Sequence, residues 1–275
     1  MKKSKPVGLM AAGRMTESAL ARFPLLVQAI GPIVAANRRL ASRYVNVLRS
    51  GWVAEPAELA DCRLIVLQAR PAEWMGLLLH LPVGGCPIVV LEDDFGAAAL
   101  APLRAVGVAA CSMTIVPVAA RSLMLVDGDA AAVRAVRGWA SVGGVRCVEM
   151  KSFGKALYGA GMVTVSALVT PLVDAATRSL RAAGLSQVDA RQIVAQTLEG
   201  VLRSYSAHGR KGWPNPSAAG RREVVAAQCE ALAGGDAGLG RMYARVLAAC
   251  LDYYGQETKW LNESTGAEGA SNRGQ

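Results

Sequence analysis

The stretch Val7-Gly8-Leu9-Met10-Ala11-Ala12-Gly13-Arg14-Met15-Thr16-Glu17-Ser18-Ala19-Leu20 determines how the rest of the chain is interpreted. The apolar run over residues 6–10 predicts a short buried strand, residues 11–14 a tight turn, and the residues from 15 onward a helix. A phosphate site needs this order, because the first N–H groups of a helix are unpaired and carry a partial positive charge. We therefore expect a nucleotide-binding domain to begin here.

The turn keeps only part of a dinucleotide-binding fingerprint. The fingerprint has glycines at its first, third and sixth positions, which fall on Ala11, Gly13 and Thr16 in this sequence. Ala11 adds a methyl group to the tight turn, and Thr16 adds bulk where helix and strand pack. The pattern favours the fold more than it favours retained cofactor binding. The residues predicted to bind the cofactor at this turn are Ala11, Ala12, Gly13, Arg14 and Met15.

A second candidate site follows the next apolar run. Residues 30–36 predict the second parallel strand, and Asn37, Arg38 and Arg39 come directly after it. At this position an acidic residue holds the 2′-hydroxyl of NAD, whereas an arginine accommodates the 2′-phosphate of NADP. These three residues therefore predict an NADP site, if a cofactor binds. The alternative is that the two arginines open a solvated helix over residues 39–49.

The hydrophobic pattern divides the chain in two. Short apolar runs alternate with helical stretches up to residue 150, which predicts an α/β domain with a parallel sheet. Helices alone are expected from residue 151 to 261, and a disordered tail over 262–275. The expected strands cover residues 6–10, 30–36, a minor one near 52, 63–68, 87–91, 108–118, 121–126 and 146–150. The expected helices cover residues 17–28, 39–49, 73–81, 97–106, 130–139, 156–183, 188–206, 221–232 and 239–254, with a turn over 127–129.

Composition excludes several functional classes. The net charge is +9, but the basic residues are scattered without interleaved aromatics, which argues against nucleic acid as a partner and favours a basic pocket for phosphate groups. The six cysteines occur singly and the chain has two histidines, so no metal site is expected. Reduced cysteines and the lack of a secretory pattern after the first lysines indicate a cytoplasmic protein.

One stretch is apolar enough to raise the question of a membrane. Residues 156–173 are uncharged, close to the shortest length that spans a bilayer. The stretch also contains several glycines and threonines, Tyr158 and Pro171. We therefore expect a helix buried between the subunits of a homodimer, and no membrane partner.

From residue 6 to 255 the chain resembles an uncharacterised family of bacterial two-domain proteins. That family is related in fold to the phosphogluconate and β-hydroxyacid dehydrogenases and to the pyrroline carboxylate reductases. The resemblance implies a Rossmann-like domain followed by an all-α domain like that of 6-phosphogluconate dehydrogenase. The motifs that carry it are Gly13-Arg14, Asn37-Arg38, Val126-Asp127-Gly128-Asp129, Lys155-Ala156-Leu157-Tyr158, Ala183-Gly184-Leu185 and Asn215-Pro216.

The resemblance also implies catalytic residues. A lysine that opens the interdomain helix assists proton transfer in the related dehydrogenases, so Lys155 and the nearby Tyr158 are the catalytic candidates. A partly desolvated lysine can have its pKa lowered into the working range of an acid or base. The alternative is a lysine that faces solvent.

The implied function is an NADP-dependent oxidoreductase. Its substrate would be a small imine, keto or hydroxy compound between the two domains of a subunit, and the helical domain would form the homodimer. The family usually has a histidine where Gly159 stands, and a His-Pro pair where Met113-Thr114 stands. These departures keep a second hypothesis open, a non-catalytic descendant that binds a metabolite or a protein partner.

Overall fold

The computed structural model describes residues 6–12, 19–69, 73, 76, 86–91, 100–118, 121–151, 154–216 and 221–261. The chain forms two compact units, Met1–Val163 and Thr164–Gln275. Gly13, Arg14 and Met15 lie outside the described residues, as do most of the expected helix over 73–81 and the tail from 262. The domain boundary expected at residue 151 stays a prediction.

The first unit is built on a mostly parallel sheet, which confirms the predicted fold class. The strands are β1 (Val7–Ala11), β2 (Ile30–Ala35), β3 (Trp52–Val53), β4 (Leu64–Gln68), β5 (Ile88–Leu91), β6 (Ala110–Val118), β7 (Arg121–Gly128) and β8 (Arg146–Glu149). Their order across the sheet is β3-β2-β1-β4-β5-β6-β7-β8. Neighbours pair in parallel except β6 and β7, which are antiparallel.

Helices cover both faces of this sheet and make up the second unit. In chain order the described helices are α1 (Pro24–Val27), α2 (Arg38–Leu48), α3 (Ala101–Ala105), α4 (Ala130–Val142), α5 (Gly154–Val165), α6 (Val169–Ala182), α7 (Gln187–His208), α8 (Arg222–Gly235) and α9 (Ala237–Tyr253). Short 3-10 helices cover Ala19–Arg22, Pro56–Asp61 and Gly209–Gly212.

Strand β1 is buried on both faces, as expected of a central parallel strand. One face packs with α2 and α4, where the fully buried Trp139 donates its indole N–H to the carbonyl of Leu26 at 3.0 Å. The other face packs on Leu59, Leu100 and Leu103. The segments that connect the parallel strands therefore cover both faces of the sheet.

Two expected helices are interrupted at prolines. The expected helix over 17–28 is wrong in its described part, because Pro24 forces Phe23 out of the helical region (φ −123°, ψ 77°) and α1 starts anew. The expected helix over 156–183 is broken between α5 and α6. Thr170 still bonds the carbonyl of Ser166 at 3.1 Å, but Pro171 has no N–H to continue the pattern.

The turn expected over 127–129 is also wrong. Asp127 and Gly128 belong to β7, where they pair with Ser112 and Cys111 of β6. Strand β7 thus extends two residues beyond the apolar run over 121–126, because Gly128 allows the backbones of β6 and β7 to approach closely. Asp129 then starts α4, as expected, and its carboxylate accepts the N–H of Ala110 at 2.9 Å.

The second unit has helix ends that the sequence anticipates. Ser186 caps α7 by accepting the N–H of Asp189 at 3.2 Å, which confirms that helix start. The loop after α7 is held to the end of α9 by Trp213, which stacks on Tyr254 with ring centroids 4.0 Å apart.

Among the described residues, one helical stretch is long and apolar enough to cross a membrane. It covers Gly154–Ala182, and no residue in its most apolar window is buried. Length and composition alone support this, and a core helix of a soluble protein would meet the same criteria.

Gly128 provides a test of the hairpin. Its φ is +154°, and an added Cβ would lie 2.4 Å from the Cα of Cys111. We expect Gly128→Ala to lower the free energy of unfolding by about 2 kcal/mol or more, since strain and overpacking each cost on that order. Urea denaturation measures the change.

The matched control is Gly138→Ala in α4, where an added Cβ meets nothing within 4 Å. This variant should gain up to ~1 kcal/mol, because alanine is the better helix former. Equal effects of the two substitutions would contradict the register of β6 and β7.

Candidate functional site

The pairing places one row of side chains across one face of the sheet. Partners in register share a face, and the face alternates along each strand. The row is formed, from β2 to β7, by Val34, Met10, Leu67, Val90, Ser112 and Asp127. The row is apolar on its first four strands and polar on its last two.

A cleft of about 520 Å³ lies at the apolar end of this row. Met10 and Val34 form part of its wall, and Asn37, Arg38 and Glu55 contribute polar groups. The cleft opens where β1, β2 and β3 end. Ligands bind outside the carboxyl ends of strands in open sheets of this type.

Asn37 begins the helix beside this cleft. Its backbone is extended (φ −157°, ψ 161°), and its side-chain Oδ1 accepts the N–H of Leu40 at 2.8 Å. The sequence assigned Asn37 to the cofactor, but the structure gives it a capping role that satisfies one of the unpaired donors of α2.

Arg38 and Arg39 occupy the first turn of the same helix, and both are exposed. Neither forms an ion pair or hydrogen bond with any residue that the structure describes. A cation at a helix N-terminus opposes the helix dipole, at a cost of about 0.3–1 kcal/mol each. A local preference that is broken, with no compensating partner among the described residues, is typical of a functional position. The charge arrangement therefore suits an anion in the cleft.

Both alanines that were predicted to bind the cofactor can be placed, and Ala11 lies in β1 instead of the turn expected over residues 11–14. Ala11 is fully buried in β1, opposite Ala35 and Gln68, and the N–H of Ala12 extends the pairing to the carbonyl of Gln68 at 3.1 Å. The strand order reverses between β1 and β4. Such a switch point is where dinucleotides cross the sheet.

Gln68 is a residue at this switch point that the sequence interpretation missed. Its Oε1 atom is buried and accepts no hydrogen bond within the described structure. A buried acceptor without a donor is costly, so a ligand that supplies an N–H or O–H fits this position. The signal was available, because Gln68 is the one polar residue in the run Leu64-Ile65-Val66-Leu67-Gln68.

The polar end of the row holds a buried cluster. Among the described residues, the buried polar or charged side chains are Ser112, Asp127 and Lys155, exposed by 0%, 9% and 1%. Lys155 donates from Nζ to the Oγ atom of Ser112 at 3.3 Å. The alternative of a solvent-facing Lys155 is therefore wrong.

The sequence missed Ser112 and Asp127 as members of a site. Both side chains lie on the face that Lys155 reaches, because they are cross-strand partners on β6 and β7. Ser112 is one of two hydroxyl residues, with Thr114, in a strand that is mostly apolar, and this pattern could have indicated a site. The sequence pattern placed Asp127 in a turn, so its pairing with Ser112 was not predicted.

Tyr158 lies three residues after Lys155, on the same side of α5. Its side chain is partly exposed and forms no hydrogen bond with the described residues. Its catalytic role stays a prediction.

Burial disfavours the thiolate form of the two cysteines near the cluster. Burial raises the pKa of the Cys111 thiol to about 12, with smaller contributions from Cys147 and the nearby carboxylates. Burial also raises the pKa of Cys147. Within the described ranges, no group of three histidine, cysteine or acidic side chains is arranged to hold a metal ion.

The capping role of Asn37 can be tested directly. Asn37→Ala should lower the free energy of unfolding by about 1 kcal/mol, because a donor of α2 loses its partner. Asn37→Asp should retain the stability, since aspartate also caps helices. Thermal denaturation of both variants without ligand distinguishes this role from one exerted only through a bound cofactor.

The family comparison covers the last two strands of the sheet and most of the helical part. Residues 122–249 match the model "Domain of unknown function (DUF2520)". No curated protein matches the sequence significantly.

Solved structures match over nearly the whole chain. A protein from Thermotoga maritima has a TM-score of 0.64 at 15% identity, covering 94% of this chain and 99% of that one. An imine reductase from Aspergillus terreus, in complex with NADPH4, has a TM-score of 0.60 at 15% identity, covering 86% and 88%. A 1-pyrroline-5-carboxylate reductase from Streptococcus pyogenes has a TM-score of 0.57 at 14% identity, covering 96% and 100%.

These identities are low, so the structural likeness shows the fold. The resemblance read from the sequence is confirmed: residues 122–249 match a domain family of unknown function, in a chain with the fold of Rossmann-like reductases that have a helical carboxyl-terminal part.

Proposed function

We propose that this protein is an NADP-dependent oxidoreductase that acts on a small imine, keto or hydroxy compound. The observation that carries the proposal is the row across the sheet, which joins a cleft lined by Arg38 to a buried lysine on the same face. The imine and pyrroline carboxylate reductases among its structural neighbours support the same class of reaction.

The spacing in the row suits a dinucleotide. Three inter-strand steps separate β1 from β6, and each is about 4.8 Å, so the cleft and the lysine cluster are about 14 Å apart. A dinucleotide extends across the sheet from the first βαβ half to the second at the switch point. Gln68 ends β4 at that point, one residue after Leu67 of the row.

The residues have separable tasks. Arg38 and Arg39 hold the 2′-phosphate at the start of α2, where the free N–H groups also favour an anion. Gln68 accepts a hydrogen bond from the cofactor at the crossing. Bound NADPH supplies the hydride for reduction of a C=N or C=O carbon. Lys155 supplies the proton for the nitrogen or oxygen, and Tyr158 helps to orient the substrate.

We also propose that the protein is a homodimer through its helical part. The stretch Gly154–Ala182 exposes large apolar side chains, and a cleft of about 880 Å³ in the second unit has almost entirely apolar walls. Monomeric proteins rarely expose such surfaces. A second copy of the chain would cover both the exposed side chains and the cleft, because a two-fold interface uses the same elements of each subunit. The exposed side chains on the stretch are Leu157, Met162, Val163, Val165, Leu168 and Leu172. The cytoplasmic location stays a prediction.

The cofactor assignment is tested by calorimetric titration with NADPH and NADH. The unmodified protein should bind NADPH at least ten times more tightly than NADH. Arg38→Ala and Arg39→Ala should each weaken NADPH binding about tenfold or more, since a charged hydrogen bond contributes about 1.5–3 kcal/mol. NADH binding should change little.

Arg43→Ala is the matched control, because Arg43 is also exposed on α2 but lies beyond its first turn. This variant should bind both cofactors like the unmodified protein. If neither NADPH nor NADH binds, the non-catalytic alternative is favoured and the search moves to metabolite or protein partners.

The dimer is tested by sedimentation velocity. Val165 is 63% exposed in the single chain, so Val165→Glu should fold normally. Burying the carboxylate in an interface is costly, and the variant should sediment as a monomer where the unmodified protein is a dimer. Val106→Glu, at a position 57% exposed outside the stretch, should stay dimeric. A detergent requirement for the unmodified protein would instead favour a membrane span.

A further inference from the structure

The buried position of Lys155 raises the question of what compensates its charge. The side chain is 1% exposed, and the hydroxyl of Ser112 is a neutral partner. An ammonium group in such a site loses its proton unless an opposite charge is near. The strand β7, which pairs with the strand of Ser112, carries a candidate for this opposite charge.

Asp127 is the cross-strand partner of Ser112. Directly opposed residues have Cβ atoms roughly 4.5–5.5 Å apart and share a face, so the carboxylate lies beside the hydroxyl that Lys155 contacts. Asp127 is itself 9% exposed. The charge of Lys155 and that of Asp127 both act on the neighbouring Cys111 thiol, which places the two groups in one neighbourhood.

The other described titratable groups nearby do not supply this charge. Cys111 is neutral, because burial raises its pKa to about 12. Asp129 is already compensated by Arg104, whose Nε lies 3.0 Å from its Oδ1, and by the N–H of Ala110. Among the described residues, Asp127 is the buried carboxylate, and it pairs across the strands with Ser112.

We propose that Asp127 is the counter-charge that keeps the buried Lys155 protonated, and that Ser112 fixes the direction of its ammonium group. Both are positioning residues, because they act through Lys155. The use of the proton for catalysis rests on the proposed function, whereas the pairing itself is a property of the chain without cofactor.

The experiment is a pH titration of the lysine side chains by carbon NMR, on cofactor-free protein with labelled lysine. The chain has seven lysines, and the signal of Lys155 is the one missing in Lys155→Met. Asp127→Asn keeps the shape and removes the charge. The midpoint of Lys155 should fall by about one pH unit or more, as expected when an opposite charge within about 4–6 Å is lost.

Glu149→Gln is the control, because it removes an exposed carboxylate on the neighbouring strand β8, which pairs with Arg137 of α4. It should leave the titration of Lys155 unchanged. An unchanged midpoint in Asp127→Asn, or an equal fall in Glu149→Gln, would overturn the proposal. Ser112→Ala should lower the midpoint by less than Asp127→Asn, and a larger fall would reverse the roles.

A second variant covers the case in which Asp127→Asn does not fold. Asp127→Ser also removes the carboxylate and should lower the midpoint of Lys155 in the same direction; an unchanged midpoint counts against the pairing. All these titrations omit NADPH. A failure of NADPH binding would therefore remove the proposed function and leave the result on the pair intact.

Discussion

Hydrogen bonding on both edges of β1 is the constraint on which the site depends. The strand pairs in parallel with β2 on one side and with β4 on the other, so the chain changes direction across the sheet at this point. The carboxyl ends of β1 and β4 therefore lie side by side at the switch point, where ligands bind in open sheets of this type. The pairing of β1 thus sets the position of the candidate ligand site, independently of the candidate catalytic residues.

The alternation of side chains along each strand then decides which residues can act together. Met10 and Ser112 lie three strands apart but on one face, because each register step preserves the face. A shift of one residue in the pairing of β5 with β6 would move Ser112 to the opposite face of the sheet and away from Lys155. The antiparallel β6–β7 pair adds Asp127 to the same face. The chemistry of the cluster is therefore a consequence of strand register.

Local patterns predicted the strands well, because each is a short apolar run between turn-forming residues. Pro24 and Pro171 were visible in the sequence and should have ended the expected helices, since proline effects are local. The pairing of Ser112 with Asp127 was beyond reach, because it depends on the length of the β6–β7 hairpin. The sequence did identify Lys155 through a family resemblance, but its burial beside Ser112 follows only from tertiary packing.

We propose that the cleft at Arg38 recognises a phosphate on the 2′ position of the adenosine ribose. Calorimetric titration with adenosine 2′,5′-bisphosphate and with adenosine 5′-monophosphate tests it without any substrate or turnover. We predict that the bisphosphate binds at least ten times more tightly, and that added salt reduces the difference by screening the arginines. Equal affinity for the two nucleotides, or no binding of either, would contradict the claim.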